Sequence, residues 1–105
     1  MSQDSLLGML GLAGRAGQLV CGQDRCIEAV RTGRLHLVIL DGAASANTRD
    51  KVGSACRYYH VPLIELDGRD VLGSRIGRDG VRVAGIRDGK LAQLLRSRNE
   101  TGAEV

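Results

Sequence analysis

The chain has 105 residues, room for one domain, and 43% of them are hydrophobic, enough to bury a core. It has no Phe and no Trp, so that core must be built from Leu, Val, Ile and Ala. A net charge of +3 from thirteen Arg and two Lys against twelve acids is too slight to name a partner, although Arg-rich surfaces suit phosphate and bases.

No run approaches the ~18 apolar residues of a membrane span. The opening MSQDS has neither the basic region nor the apolar stretch of a signal peptide. Three cysteines, Cys21, Cys26 and Cys56, are an odd number at irregular spacing, which suits a reducing compartment. A cytoplasmic protein is expected.

In chain order, Ser2 or Asp4 can cap a first helix whose apolar positions Leu6, Leu10 and Ala13 keep helical spacing, with Gly17 as its stop. Gly8, Gly11, Gly14 and Gly17 recur every third residue without a preceding strand or the G-x-G-x-x-G order. They therefore read as close packing rather than a dinucleotide loop. A short strand, 18–21, leads to a helix from about Gly22 to Thr32, closed by Gly33. The run LHLVIL, 35–40, reads as a strand covered on both faces.

After the loop DGAASA, N-T-R-D from Asn47 has the form of a capping box. The helix behind it carries Val52, Ala55, Cys56 and Tyr59 on one face, and Pro62 opens a third strand, VPLIEL. Asp67 is placed to cap a short helix with Val71, Leu72 and Ile76. The turn IGRDG precedes VRVAGI, whose Val81 and Val83 flank Arg82 as in a half-exposed strand. Asp88 caps a last helix with Leu91, Leu94 and Leu95, and the polar residues 98–105 read as a frayed tail beyond an ordered 3–97. Helices alternate with strands throughout, which predicts a single α/β domain over 1–105 with a four-stranded sheet between helices.

The chemistry-bearing residues carry no enzymatic motif, so a non-catalytic protein is expected, with a redox or small-molecule enzyme built around Cys21 as the weaker rival. The four-residue gap between Cys21 and Cys26 is too long for a zinc knuckle or a thioredoxin-type pair. His36 and His60 have no ligand at metal spacing, so neither metal nor cofactor is expected. Catalytic signatures such as G-x-S-x-G, H-E-x-x-H and the P-loop are missing. Cys21, beside a helix start, is the one thiol with some claim to reactivity, but burial is the expected role for it. The helix opened by Gly22 remains: its first turn offers free N–H groups and partial positive charge to an anion, with Gln23, Asp24 and Arg25 projecting from it.

The segments LLGMLGLAGRAGQLVCGQDRCIEAVRTGRLHLVILDGAAS, NTRDKVGSACRYYHVPLIEL and VLGSRIGRDGVRVAGI carry a pattern that is specific as a set. Over roughly residues 5–97 the chain resembles the kink-turn-binding ribosomal proteins, the L-seven-Ae/L-thirty-e group, in its bacterial YlxQ-like branch. The resemblance implies a three-layer α-β-α sandwich with a four-stranded mixed sheet. It also implies a non-catalytic protein that binds structured RNA, kink-turn-like or ribosomal, in association with ribosomes or translation factors.

In such relatives, the helix matching 22–32 enters the opened major groove at sheared G·A pairs, behind a glycine that is here Gly22. The two base-reading positions fall on Asp24 and Arg25, and a phosphate-neutralising lysine position holds Glu28; all three depart from the family pattern. A second contact matches the loop IGRDGV, where Ile76, Gly77 and Arg78 would meet a flipped-out nucleotide. Arg15 and Arg75 would flank it on phosphates. The acidic Asp24 and Glu28 leave an alternative open: a protein-interaction module on the same fold that has lost specific RNA reading.

Overall fold

Four short strands form one mixed sheet: β1 (Leu19–Cys21), β2 (Leu37–Leu40), β3 (Leu63–Glu65) and β4 (Val83–Ile86), in the order β1-β4-β2-β3. β4 runs antiparallel to both β1 and β2, with Cys21 opposite Ala84 and Leu40 opposite Val83, while β3 lies parallel to β2. The computed structural model describes the backbone of residues 2–103 and the side chains of residues 3–98. Five helices complete the fold: α1 (Ser2–Arg15), α2 (Gln23–Arg31), α3 (Ala46–Tyr58), α4 (Val71–Ile76) and α5 (Gly89–Ala103).

The side-chain period of two along the strands divides the core into two halves. Leu37, Ile39, Ala84 and Ile86 point into one, with Leu6, Leu7 and Leu10 of α1, Leu72 of α4 and Leu95 of α5. Val38, Leu40 and Val83 point into the other, with Cys26, Ala29 and Val30 of α2 and Val52 and Cys56 of α3. Helices therefore cover both faces, which gives the expected three layers. Every core residue is aliphatic, alanine or cysteine among the described side chains.

Several local expectations change. Residues 83–86 are wholly buried, not half-exposed, because β4 is an interior strand, and Val81 and Arg82 precede it. Leu35 lies against the bare backbone of Gly85, where a Cβ would come within 2.2 Å of its Cδ1. β2 begins at Leu37, which leaves His36 outside the strand and exposed. Helix α3 starts earlier than the Asn47 box: its cap is Ser45, whose Oγ accepts from the Thr48 N–H. Tyr59 lies just past its end and is exposed.

The Asp67 side chain does not cap α4. Its backbone is clasped by the Gln3 amide, which donates to Asp67 O and accepts from Asp67 N. The carboxylate that caps α4 is Asp41, 31 residues away from Leu72 in sequence. Asp88 does cap α5, accepting from Lys90 N at 3.0 Å. The α5 backbone continues to Ala103, into the segment read as a tail, and the Ser2 cap lies outside the described side chains.

Candidate nucleic-acid interface

The sheet register brings the end of β1, the start of β4 and the end of β2 to the same edge of the molecule, and α2 starts there. Gly22, the residue before α2, has φ 101° and ψ 148°, backbone space that is essentially glycine-only. Its N–H donates to Val83 O at 2.9 Å and its carbonyl accepts from Cys26 N at 3.0 Å. The helix thus springs directly from the sheet end. No side chain caps it, so the N–H groups of its first turn are left to solvent or a ligand.

Gln23 is fixed by a relay from the neighbouring helix. The Ser45 hydroxyl donates to Thr48 Oγ1 at 3.1 Å, and the Thr48 hydroxyl donates to Gln23 Oε1 at 2.7 Å. With its oxygen taken, the Gln23 amide keeps only N–H donors for other partners, and one of them reaches Asp24 Oδ1 at 3.5 Å. Gly22, Gln23 and Thr48 form one wall of an open groove of about 390 Å³, and Asp79, Gly80 and Val81 form the other.

The second wall belongs to the loop after α4. Gly77 ends that helix in the left-handed region, and Arg78 N then turns back to Gly73 O at 2.8 Å. Ile76 is half-buried against α1, its Cβ 3.4 Å from where a Gly14 Cβ would stand. Ile76 and Arg78 share a small crevice with Leu19 and Cys21, one residue from Gly22. Arg15 and Arg75 lie side by side over Gly11: a Cβ there would be 3.9 Å from Arg15 Nη1 and 3.7 Å from Arg75 Cγ.

The structure therefore brings Gly22 and Gln23 together with the 76–83 segment, and places Arg15 and Arg75 beside each other on the adjoining α1–α4 face. Asp24 and Arg25 point elsewhere. They line a cleft on the outer side of α2 with Glu28, Thr32, Arg34 and Arg87. Glu28 is paired with Arg31 at 3.1 Å. Arg25, Arg34, Arg78 and Arg87 have no acidic partner among the described residues, whereas Arg82 Nη1 lies 2.6 Å from Asp70 Oδ1 in a contact poorly aligned for hydrogen bonding. Asp79 keeps one carboxylate in the groove.

Thr48, Arg34 and Arg87 were not singled out from the sequence. The S-x-x-T spacing from Ser45 would have found Thr48, had the helix start been set there. No local signal marks Arg34 or Arg87, which meet Arg25 only through the tertiary fold.

Cys26 and Cys56 belong to the scaffold, whereas Cys21 is half-buried in the crevice it shares with Ile76 and Arg78. Cys26 donates to Val20 O at 3.2 Å, and burial pushes its pKa up to about 12, with smaller contributions from Cys21 and Cys56. Burial likewise takes Cys56 to about 11. Among the described residues no three His, Cys, Asp or Glu side chains converge as a metal site would require. No described helix is long and apolar enough to cross a membrane. The arrangement offers amide and guanidinium donors over a half-apolar floor, a surface that can hold phosphates and base edges.

Residues 4–95 match the model of the ribosomal protein L7Ae/L30e/S12e/Gadd45 family. The chain is 42% identical over 89 residues to the RNA-binding protein YlxQ of Bacillus subtilis, covering 85% of this chain and 89% of that one. It is 33% identical over 95 residues to the protein of the same name from Enterococcus faecium, covering 90% and 91%. A solved Bacillus halodurans protein of unknown function superposes with TM-score 0.85 at 34% identity, covering 90% of this chain and 96% of that one. The Giardia lamblia 15.5kD RNA binding protein shares the fold, with TM-score 0.77 at 20% identity over 99% and 90% of the two chains. The chain belongs to the ribosomal protein L7Ae/L30e/S12e/Gadd45 family.

Proposed function

We propose that the protein is a non-catalytic RNA-binding module that holds a kink-turn-like RNA at the start of α2 and the 76–82 loop, in association with ribosomes or translation. The observation that carries this reading is the groove in which Gly22 and Gln23 face the loop across a shared floor. The names of the bacterial relatives point to the same ligand class. An A-form major groove is too narrow for a helix tip, and a kink opens it. The α2 N–H groups and the Gln23 amide then meet base edges. Ile76 and Arg78 take an unstacked nucleotide, and Arg15 and Arg75 take flanking phosphates.

Asp24 lines the outer cleft with its Oδ1 3.5 Å from the Gln23 amide nitrogen, where it repels phosphate but can accept from a base amino group. Arg25, Arg34 and Arg87 outnumber Asp24 and the already paired Glu28 on that wall.

The test is anisotropy titration of a kink-turn duplex and of a matched duplex without the kink, each at two salt concentrations. Preference for the kinked duplex that persists at the higher salt supports the reading. Equal, weak and steeply salt-dependent binding to both reduces it to non-specific phosphate attraction. Partners retained in a pull-down after ribonuclease treatment, with no kink preference, would instead favour a protein-interaction module.

A further inference from the structure

At the opposite end of the sheet from Gly22 lies a second cleft, of about 570 Å³, for which the reading above has no use. It opens where β2 and β3 begin and α5 starts. Its polar lining is Arg31, His36, Tyr59, His60, Gln93 and Arg96, over an apolar floor that includes Leu35 and Val61. Both histidines of the chain are there, and among the described residues no Asp or Glu lines it. Arg31 is engaged by Glu28 at 3.1 Å, but Arg96 has no acidic partner among the described residues. The α5 N-terminus is already capped by Asp88, so the cationic character comes from side chains.

The two tyrosines are the chain's whole aromatic content, and neither joins the core. Tyr58 is 76% exposed and Tyr59 40%, their rings meeting edge-to-face with centroids 4.8 Å apart. A chain that builds its core from aliphatic and small residues has thus placed Tyr59 in the lining of a carboxylate-free cleft, with Tyr58 against its ring. An aromatic face beside guanidinium and imidazole donors is the chemistry that stacks an unpaired base and holds its phosphate.

We infer that this cleft is a second, independent site for an unpaired nucleotide, the base stacked on Tyr59 and the phosphate held by Arg96, His36 and His60. The nucleotide can be free or part of a single strand, and both sources offer the same ring and phosphate. This site does not rest on the kink-turn reading, since it shares no residue with the groove at Gly22.

His36, His60 and Tyr59 supply proton NMR reporters in the cleft lining, and Tyr58 reports through its ring contact with Tyr59. The full-length protein is titrated with uridine 5′-monophosphate, with a short oligouridylate and with inorganic phosphate at equal ionic strength. The expected result is saturable movement of both imidazole and tyrosine ring signals with the nucleotide and the oligomer. A lower midpoint for the oligomer identifies a strand as the ligand, and equal midpoints a free nucleotide. Inorganic phosphate should move the imidazole signals alone. Tyr59→Leu and Arg96→Gln should each raise the midpoint at least fivefold, while leaving kink-turn affinity within twofold. Ring signals that stay still up to millimolar nucleotide overturn the inference, as does a response fully reproduced by inorganic phosphate. A response abolished by Arg78→Ala but not by Arg96→Gln would place the nucleotide in the other groove and overturn it equally.

Discussion

The hydroxyl of Thr48 donates to Oε1 of Gln23 at 2.7 Å, joining the first turn of α3 to the first turn of α2. Because Thr48 also accepts from Ser45, its own proton is directed to Gln23, and the Gln23 amide nitrogen is left to donate to Asp24 Oδ1 at 3.5 Å and to a ligand. Thr48→Val keeps the side-chain shape and removes the donor. RNA affinity should fall by about 1 kcal/mol, the net worth of one ordinary hydrogen bond, because the amide is no longer preset. Urea unfolding of the same variant should change by less than that, since the site is only partly buried. Unchanged RNA affinity would mean that Gln23 does not touch the ligand.

Arg25 and Arg78 present guanidinium groups on opposite sides of the α2 tip, one with Arg34 and Arg87, the other with Ile76 and Cys21. Arg25→Ala and Arg78→Ala should each weaken kink-turn binding by about 1–3 kcal/mol if they read bases. Arg15→Ala and Arg75→Ala should act on phosphate instead, lowering the slope of log affinity against log salt by about 1 each. Titration across a salt series separates the two classes. Loss confined to Arg78, with Arg25 neutral, would move the ligand wholly into the groove between Gln23 and the loop.

How much of this was legible beforehand follows the range of each interaction. Helices and strands came from local periodicity, and the buried run 37–40 declared itself because every residue in it is apolar. The position of β4 between β1 and β2 is a long-range pairing, so its flanking Arg82 gave a misleading impression of a half-exposed strand. The α4 cap was misplaced for the same reason. Asp67 is close in sequence, but Asp41 arrives from the end of β2, and a single aspartate in a D-G-A-A turn gives no sign of a distant helix. The α2 tip was visible as a glycine before a helix, whereas its relation to Thr48 and to the 79–83 wall exists only in three dimensions.

Gly22 has no atom within 4 Å of the place where a Cβ would stand, so any cost of adding one comes from the backbone. At φ 101° and ψ 148°, Gly22→Ala should destabilise the protein by about 1–3 kcal/mol. A relaxed backbone would also turn the α2 N–H groups away from the groove and weaken RNA binding. Gly8→Ala is the counterpart: it too has open space, lies inside α1 and carries no positive φ, so it should stabilise by about 0.8–1 kcal/mol. Urea melts of the pair test the sign of each. A neutral Gly22→Ala would show that the helix entry can be rebuilt without its glycine geometry.

Asp41 is fully buried, and its carboxylate accepts three backbone N–H groups, from Ala43 and Asp70 on Oδ2 at 2.8 Å each and from Leu72 on Oδ1 at 2.9 Å. Burial alone would raise its pKa, but the hydrogen bonds from Leu72, Ala43 and Asp70, helped by the nearby Val71 N–H, outweigh it and hold the group below its ordinary 3.8. A depressed folded pKa means that the unfolded chain takes up the proton first. The stabilisation is therefore complete well above pH 3.8 and is lost as pH falls from there through the folded value. Asp41→Asn keeps the shape, yet it must turn an NH2 group toward either Leu72 N–H or the Ala43 and Asp70 pair. That donor-to-donor clash should cost about 2–3 kcal/mol at neutral pH. Because α4 carries Ile76 and leads into Arg78, the variant should also loosen the groove wall and lower RNA affinity. Thermal melts between pH 2.5 and 7 should show the native protein losing stability more steeply than Asp41→Asn below pH 4. Parallel acid limbs for the two proteins would mean that the carboxylate at the end of β2 is not what fixes the loop.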